Sequence, residues 1–286
     1  MKPRPFLRWA GGKTAILSVI APLIPQFSGR YHEPCLGGGA LFFDLRSKGV
    51  IREAYLTDTN YQLINAYVAV RDHLGGLLGL LAEHAAKHGE AASAGKAKDY
   101  YNEVRSQLRN FVGVPAPVQA ARFIYINRTC FNGLYRVNKA GFFNVPFGAV
   151  KNPVICDAEN LRVCSEALQC AAIARKDFAV VETGCANIAQ PGDLVYFDPP
   201  YVPTSPTSSF TNYTPGGFSQ HDHARMAKVA SALRQRGVHV VVSNSDVPVV
   251  RDLYSSFELV PVRAPRAMAA RGSSRGSVQE LLIVNG

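Results

Sequence analysis

The chain has 286 residues, 47% hydrophobic and 18% charged, which excludes a disordered or fibrous protein and is ample to bury a large core. Lys and Arg outnumber Asp and Glu by 31 to 21, and the formal charge of +10 favours a polyanionic partner, nucleic acid above all. No apolar run approaches the length of a membrane span, and Met1-Lys2-Pro3-Arg4-Pro5 leads into no apolar signal region, so the expectation is a cytoplasmic protein with no membrane partner.

Cys35, Cys130, Cys156, Cys164, Cys170 and Cys185 are scattered without a Cys-x-x-Cys pair, a pattern of reduced thiols rather than disulfides. His84 with His88, and His221 with His223, bring no third ligand, so no metal site is expected.

Phe6 to Thr14 opens a helix whose apolar residues Ile16, Leu17, Ile20 and Leu23 recur at helical spacing before Pro25. Gly12-Lys13-Thr14 is superficially similar to a phosphate-binding loop, but Leu7 stands where that motif needs its first glycine. Lys13 can still meet a carboxylate or a phosphate, and Trp9 can stack on a ring or plug the core. Tyr31 to Ala40 then carries Glu33, Pro34 and a turn with Gly37 and Gly39, which lets the backbone approach a ligand at the first βα crossing. Phe42 replaces the third glycine of the dinucleotide fingerprint, which disfavours NAD. A second strand, Glu53 to Asp58, ends in an acid nineteen residues after Gly39, the offset at which nucleoside-binding α/β folds hold ribose hydroxyls.

From Asn60 to Asn127 the periodicity is helical, with Leu63, Ile64, Tyr67 and Val68, then Leu77 to Leu81, then Tyr100, Val104 and Leu108, then a start at Pro115 running through Phe123 and Tyr125. Glu90 to Lys96 reads as a flexible link. Four consecutive helices exceed what a βαβ layout needs, so residues 60–149 read as an insertion between the two parts, 1–59 and 150–286, of an α/β domain. The insertion closes with Asn127 to Gly148, two aromatic-rich arms around a turn at Asn138 to Gly141, with amides, Arg and Lys interleaved as in a nucleic-acid reader.

The α/β pattern resumes with a helix near Asp157 to Leu168 and a strand near Ala171 to Ala174. Leu194-Val195-Tyr196-Phe197 is then an apolar strand that Asp198-Pro199-Pro200-Tyr201 must end, because proline lacks the ladder donor. A Ser/Thr-rich loop (202–217) follows. Ser219 and Asp222 then suggest a capping box, with Met226, Val229, Ala230 and Leu233 as the helix's buried face and Gly237 as its end. A strand from Val238 to Val242, a basic loop with Arg263, Arg266, Arg271 and Arg275, and a last strand from Leu281 to Val284 complete the chain.

Six of these stretches, in one order, resemble the Dam-type DNA adenine-N6 methyltransferases, the alpha-class, D12-type amino methyltransferases. They are Arg8 to Lys13, Glu33-Pro34 with its glycines, Asp58, the Asn127 to Gly148 hairpin, Asp198-Pro199-Pro200-Tyr201, and Val278-Gln279-Glu280-Leu281-Leu282. The resemblance covers nearly the whole chain. It implies a Rossmann-like, S-adenosylmethionine-dependent α/β methyltransferase sheet with an inserted helical and β-hairpin DNA-recognition subdomain. Trp9, Lys13, Glu33, Pro34, Gly37, Gly39, Asp58, Asp177, Phe178 and Asp198 would line the cofactor site. Asp198, Pro199 and Tyr201 would be catalytic, while Arg8, Asn132, Leu134, Arg136, Asn138 and Pro146 match positions that face double-stranded DNA. The implied reaction is methylation of a flipped adenine in a short duplex site, GATC, without a metal, by a protein at the nucleoid that can be paired with a separate restriction endonuclease. Two departures stand out: Cys35 where Phe is usual, and Ala149-Val150 where Arg-Tyr is common. The weighed alternatives are a cytosine-N4, RNA or protein-amide methyltransferase and a catalytically silent DNA-binding protein.

Overall fold

Strand carboxyl ends and the prolines or glycines that follow them set the architecture. The computed structural model describes residues 1–183, 188–204, 217–265 and 277–285. Cys185, most of the Ser/Thr-rich loop, and Arg266, Arg271 and Arg275 lie outside the described residues. The strands are β1 (Tyr31–Glu33), β2 (Ala54–Asp58), β3 (Ala171–Arg175), β4 (Leu194–Phe197), β5 (His239–Ser245), β6 (Glu258–Pro265) and β7 (Ser277–Val284). The helices are α1 (Leu17–Ile20), α2 (Ala40–Ser47), α3 (Tyr61–Asp72), α4 (Leu74–Ser93), α5 (Ala97–Arg109), α6 (Ala116–Thr129), α7 (Ala158–Leu168), α8 (Val180–Thr183), α9 (Gln220–Gln235) and α10 (Pro248–Leu253). Two compact units result: one of Met1–Ala10 and Asn60–Gln169, the other of Gly11–Thr59 and the described chain from Cys170 onward.

The second unit is built on one sheet in the order β3-β2-β1-β4-β5-β7-β6. The first five strands run parallel and β7 runs antiparallel between β5 and β6. The order reverses between β1 and β4, which is where open α/β sheets leave a crevice outside the strand ends. All four residues of β4 are buried, as expected when helices cover both faces of a parallel sheet. On one face Val195, Phe197, Val240, Val242, Leu281 and Ile283 pack with Met226, Val229, Ala230 and Leu233 of α9. The Ser219–Asp222 capping box starts α9 as anticipated.

Three local expectations are corrected. The helix expected from Phe6 is a broken one, with 3-10 turns at Lys13–Ile16 and Ala21–Leu23 on either side of α1. β6 was not anticipated because Pro261 and Pro265 lie within it; it tolerates them at the sheet's edge, where among the described residues β7 is its only strand partner. The flexible link at Glu90 to Lys96 is instead the last turn of α4 and a tight reversal, with Lys96 N donating to Ala91 O at 2.6 Å.

In the first unit α6 is buried almost all round, and α3, α4 and α5 each pack against it. The unit extends beyond the expected insertion, because α7 packs on α3 and α4 and the N-terminal residues join it through Phe6 against Tyr67. His84 and His88 belong to its core: His84 Nδ1 lies 2.7 Å from Tyr100 Oη and His88 Nδ1 3.0 Å from Tyr125 Oη. Burial pushes the His84 imidazole down to about 4.

In the second unit, Gly29 lies against a buried polar knot. Asp193 accepts from Arg30 N at 2.7 Å and from Gln190 N at 2.9 Å, and its Oδ2 lies 3.0 Å from His32 Nε2. Burial opposes the Asp193 charge, but those bonds outweigh it and hold the carboxyl well below its usual range. A Cβ on Gly29 would fall 2.2 Å from Asp193 Oδ1 and 2.9 Å from Gly192 O. Gly29→Ala should therefore lower the urea unfolding midpoint, by an amount equivalent to about 1–3 kcal/mol. Gly79, exposed within α4 with nothing within 4 Å of an added Cβ, is the opposite case: Gly79→Ala should raise the midpoint, by an amount equivalent to about 0.5–1 kcal/mol. In urea titrations, a Gly29→Ala midpoint at or above wild type would contradict the first assignment, and a Gly79→Ala midpoint below wild type would contradict the second.

Candidate active site

β4 ends where its sequence requires. Pro199 and Pro200 cannot continue the ladder, so Asp198 emerges at the carboxyl end of a central strand, beside the point of order reversal. Its Oδ1 forms an ion pair at 2.7 Å with Lys13 Nζ, whose side chain is only 5% exposed. Lys13 also donates to Gly11 O at 2.5 Å, and its ammonium lies 4.7 Å from the centroid of the Tyr201 ring. Of the two alternatives open to Lys13 in the sequence, the structure shows the carboxylate. Burial raises the Asp198 pKa and the adjacent Lys13 ammonium opposes the rise.

Glu33 ends β1 and is fully buried. Burial lifts its pKa to about 8, against the opposing hydrogen bond from Tyr31 Oη at 2.8 Å, so it holds its proton at neutral pH. Pro34 follows it, and the turn then passes through Gly37 (φ 48°) and Gly39 (φ 62°), left-handed positions that glycine occupies without strain. Gly37 N donates to Asp58 Oδ2 at 3.2 Å across to the end of β2, so the turn and the second-strand acid form one surface. Asp58 is half-buried. Asp177, just after β3, receives a bidentate pair from Arg225 at 2.7 and 2.9 Å, which holds it below the usual carboxylate range. The same guanidinium lies 4.0 Å from the Phe178 ring centroid. Arg225 was missed in the sequence, where nothing but its place on α9 set it apart.

The candidate DNA-facing residues occupy the first unit. α6 runs on to Thr129, so the expected hairpin begins later, and its arms meet at isolated bridges, Cys130 with Phe147 and Val137 with Phe143, rather than along a ladder. Tyr135, Val137, Phe143 and Val145 are buried, while Asn132, Leu134, Arg136, Asn138, Asn144 and Pro146 alternate with them on the other side. Arg136 Nε donates to Asn144 Oδ1 at 2.8 Å, a bond that fixes the guanidinium on that side. Asn138 is partly committed to the turn, because its Oδ1 accepts from Ala140 N at 3.1 Å and Phe142 N at 3.0 Å. Asn127, buried in α6, bonds Arg8 at both backbone atoms (2.8 and 2.7 Å) and so tethers the exposed Arg8 to this element. Trp9 stacks on Tyr135, centroids 5.3 Å apart and planes at 22°. Phe131, 49% exposed, was passed over in the sequence because it reads as another core aromatic.

Among the described residues no group of three or more His, Cys, Asp or Glu side chains is arranged to hold a metal, and no helix is long and apolar enough to cross a membrane. The chain is 40% identical over 288 residues to the Type II methyltransferase M1.LlaDCHI of Lactococcus lactis subsp. cremoris, covering 99% of this chain and 95% of that protein. It is 38% identical to the Type II methyltransferase M.MjaIII of Methanocaldococcus jannaschii over the full length of both, and 31% identical to the DNA adenine methylase of Escherichia coli K12, covering 99% and 95%. Among solved structures, a precorrin 8W decarboxylase of Methanobacterium thermoautotrophicum aligns over both whole chains at 9% identity with a TM-score of 0.37, too slight a likeness to carry an argument. Residues 9–268 match the family described as D12 class N6 adenine-specific DNA methyltransferase. With the α/β sheet, the acid at the end of β4 and relatives matched nearly end to end, the chain belongs to the D12 class of N6 adenine-specific DNA methyltransferases.

Proposed function

We propose that this protein methylates N6 of an adenine flipped out of a short duplex site, GATC, with S-adenosylmethionine as methyl donor. The observation that carries the reading is the Asp198-Pro199-Pro200-Tyr201 turn at the end of β4, with a partly buried carboxylate held by Lys13. The exocyclic nitrogen of adenine is a poor nucleophile because its lone pair is delocalised into the ring. Asp198 and the Pro199 carbonyl act as acceptors for its two hydrogens, which localises the pair and stabilises the positive charge that grows during transfer. Tyr201 offers a ring on which the extruded base stacks.

The residues present suit the cofactor's chemistry. Asp58 is an acceptor for ribose hydroxyls, the Gly37 to Gly39 turn lets the backbone come close to the methionine part, and Asp177 with Phe178 suits the adenine. Trp9, Lys13, Glu33 and Pro34 complete the set. When bound, S-adenosylmethionine supplies a methyl group already activated on a sulfonium, so the chemistry requires no metal. Lys13 and Asp198 therefore serve to hold charge and orient groups.

Recognition is assigned to residues 60–149 together with Arg8. The outward row of Asn132, Leu134, Arg136, Asn138 and Pro146 supports a major-groove reader, and Arg136 is suited to bond guanine O6 and N7 together. The Type II relatives support a separate cognate restriction endonuclease as partner.

Asp198→Ala should lower the turnover of labelled methyl into duplex by about 100-fold or more while duplex affinity persists, since the contact acts on developing charge. Retention of more than about a tenth of wild-type turnover would remove Asp198 from the chemistry. Arg136→Ala should cost about 1–3 kcal/mol against GATC and relax the preference for its guanine, with little effect on sites lacking it. An equal loss on every sequence, measured on a panel of single-base variants, would make Arg136 a phosphate contact and leave GATC unsupported.

A further inference from the structure

We infer that Glu280 is a positioning residue for Tyr201 and that, with Asn244 and Ser245, it sets the loop that receives the target base; this rests on the reading of Asp198 to Tyr201 given above. Tyr201 Oη donates to Glu280 Oε2 at 2.8 Å. Burial, with the Asp198 and Glu280 charges behind it, keeps that hydroxyl well above its ordinary pKa, so the donor is present at any working pH. The next residue is held at both backbone atoms: Val202 N donates to Asn244 Oδ1 at 3.0 Å and Val202 O accepts from Ser245 Oγ at 2.7 Å. Asn244 Oδ1 also accepts from Ser245 N at 2.8 Å, which sets its own orientation.

These three side chains do not gather by chance of packing. Ser245 and Glu280 are directly paired across the antiparallel β5–β7 ladder, and Asn244 pairs with Leu281. Two neighbouring strand ends thus grip two consecutive residues of the loop that leaves β4. Pro199 and Pro200 already fix their own φ, so the freedom left near Asp198 is the Tyr201 backbone and the swing of its ring. Glu280 restrains the ring at its far end, and the β5 pair restrains the backbone just beyond it. A stacking ring held this way loses less freedom when the base arrives, and geometry near the reacting atoms is where small displacements are costly. The antiparallel β7 is what brings Glu280 to this edge, since its chain direction places the start of the strand beside the carboxyl ends of the parallel strands.

The test uses the full chain, a labelled methyl donor and a GATC duplex. Glu280→Ala should lower kcat by about 10- to 100-fold with KM for the duplex and cofactor affinity within about twofold of wild type. Glu280→Gln, whose amide oxygen still accepts from Tyr201, should recover most of that loss. Tyr201→Phe should lose as much as Glu280→Ala, and the double variant should be no worse than either single one. Additive losses in the double variant, or a Glu280→Ala enzyme within twofold of wild-type kcat, would overturn the inference. A Gln variant as poor as the Ala variant, with a shifted acid limb in its pH–rate profile, would assign the effect to charge beside Asp198 and overturn positioning. Should Glu280→Ala fail to fold, the Gln and Tyr201→Phe variants still decide it. A wild-type protein that labels no adenine defeats the parent reading, whereas a wild-type protein that methylates beside an unimpaired Glu280→Ala defeats only this one.

Discussion

Two consecutive prolines after a fully buried strand impose the constraint from which the site follows. Pro199 and Pro200 have no amide hydrogen to give the ladder, so β4 stops at Phe197 and the chain must leave the sheet there. Because β1 and β4 flank the reversal of strand order, that exit falls at the crevice rather than at an arbitrary edge. Asp198, Glu33 and Asp58 are brought to the same edge of the sheet by the parallel register of β4, β1 and β2.

Charge at this edge is arranged by burial. The Asp198 charge acts on the buried Glu33, and the Glu280 charge acts on Asp198, so carboxylates crowd this edge at a cost. The structure resolves this unevenly: Glu33 is buried deepest and holds its proton, while Asp198 receives the Lys13 ammonium at 2.7 Å. Lys13, in turn, is buried only because it has a carboxylate, a carbonyl and an aromatic face around its head.

In the other unit the same logic appears with backbone alternation in place of charge. The arm after α6 buries Tyr135, Val137, Phe143 and Val145 and so turns every intervening side chain outward. A one-residue slip would bury Arg136 and expose Tyr135, so the hydrophobic partners on α6, Phe123 among them, hold the register of the polar row. The isolated bridges suffice because Asn138 closes the turn from its own side chain and Tyr101 Oη anchors Val145 O at 2.8 Å.

Much of the fold was legible in the sequence because it depends on local rules. Apolar periodicity gave the helices from Asn60 to Leu168, the β4 run with the prolines after it announced a strand and its end, and Ser219 with Asp222 announced the start of α9. The glycine turn and the acids at strand ends marked the edge where the site lies, since strand-end carboxylates and glycines are chemical signals in their own right. Edge strand β6 escaped because its prolines contradict a strand everywhere except at an edge, and being an edge is a property of the sheet. Lys13 remained ambiguous until a partner was in place, and Arg225, Asn244 and Ser245 were silent because each acts on a residue 42 or more positions away. By itself the sequence determined which segments become helix or strand and which acids end strands; only the tertiary structure decided which buried charges pair, because pairing depends on distances across the sheet that no local pattern encodes.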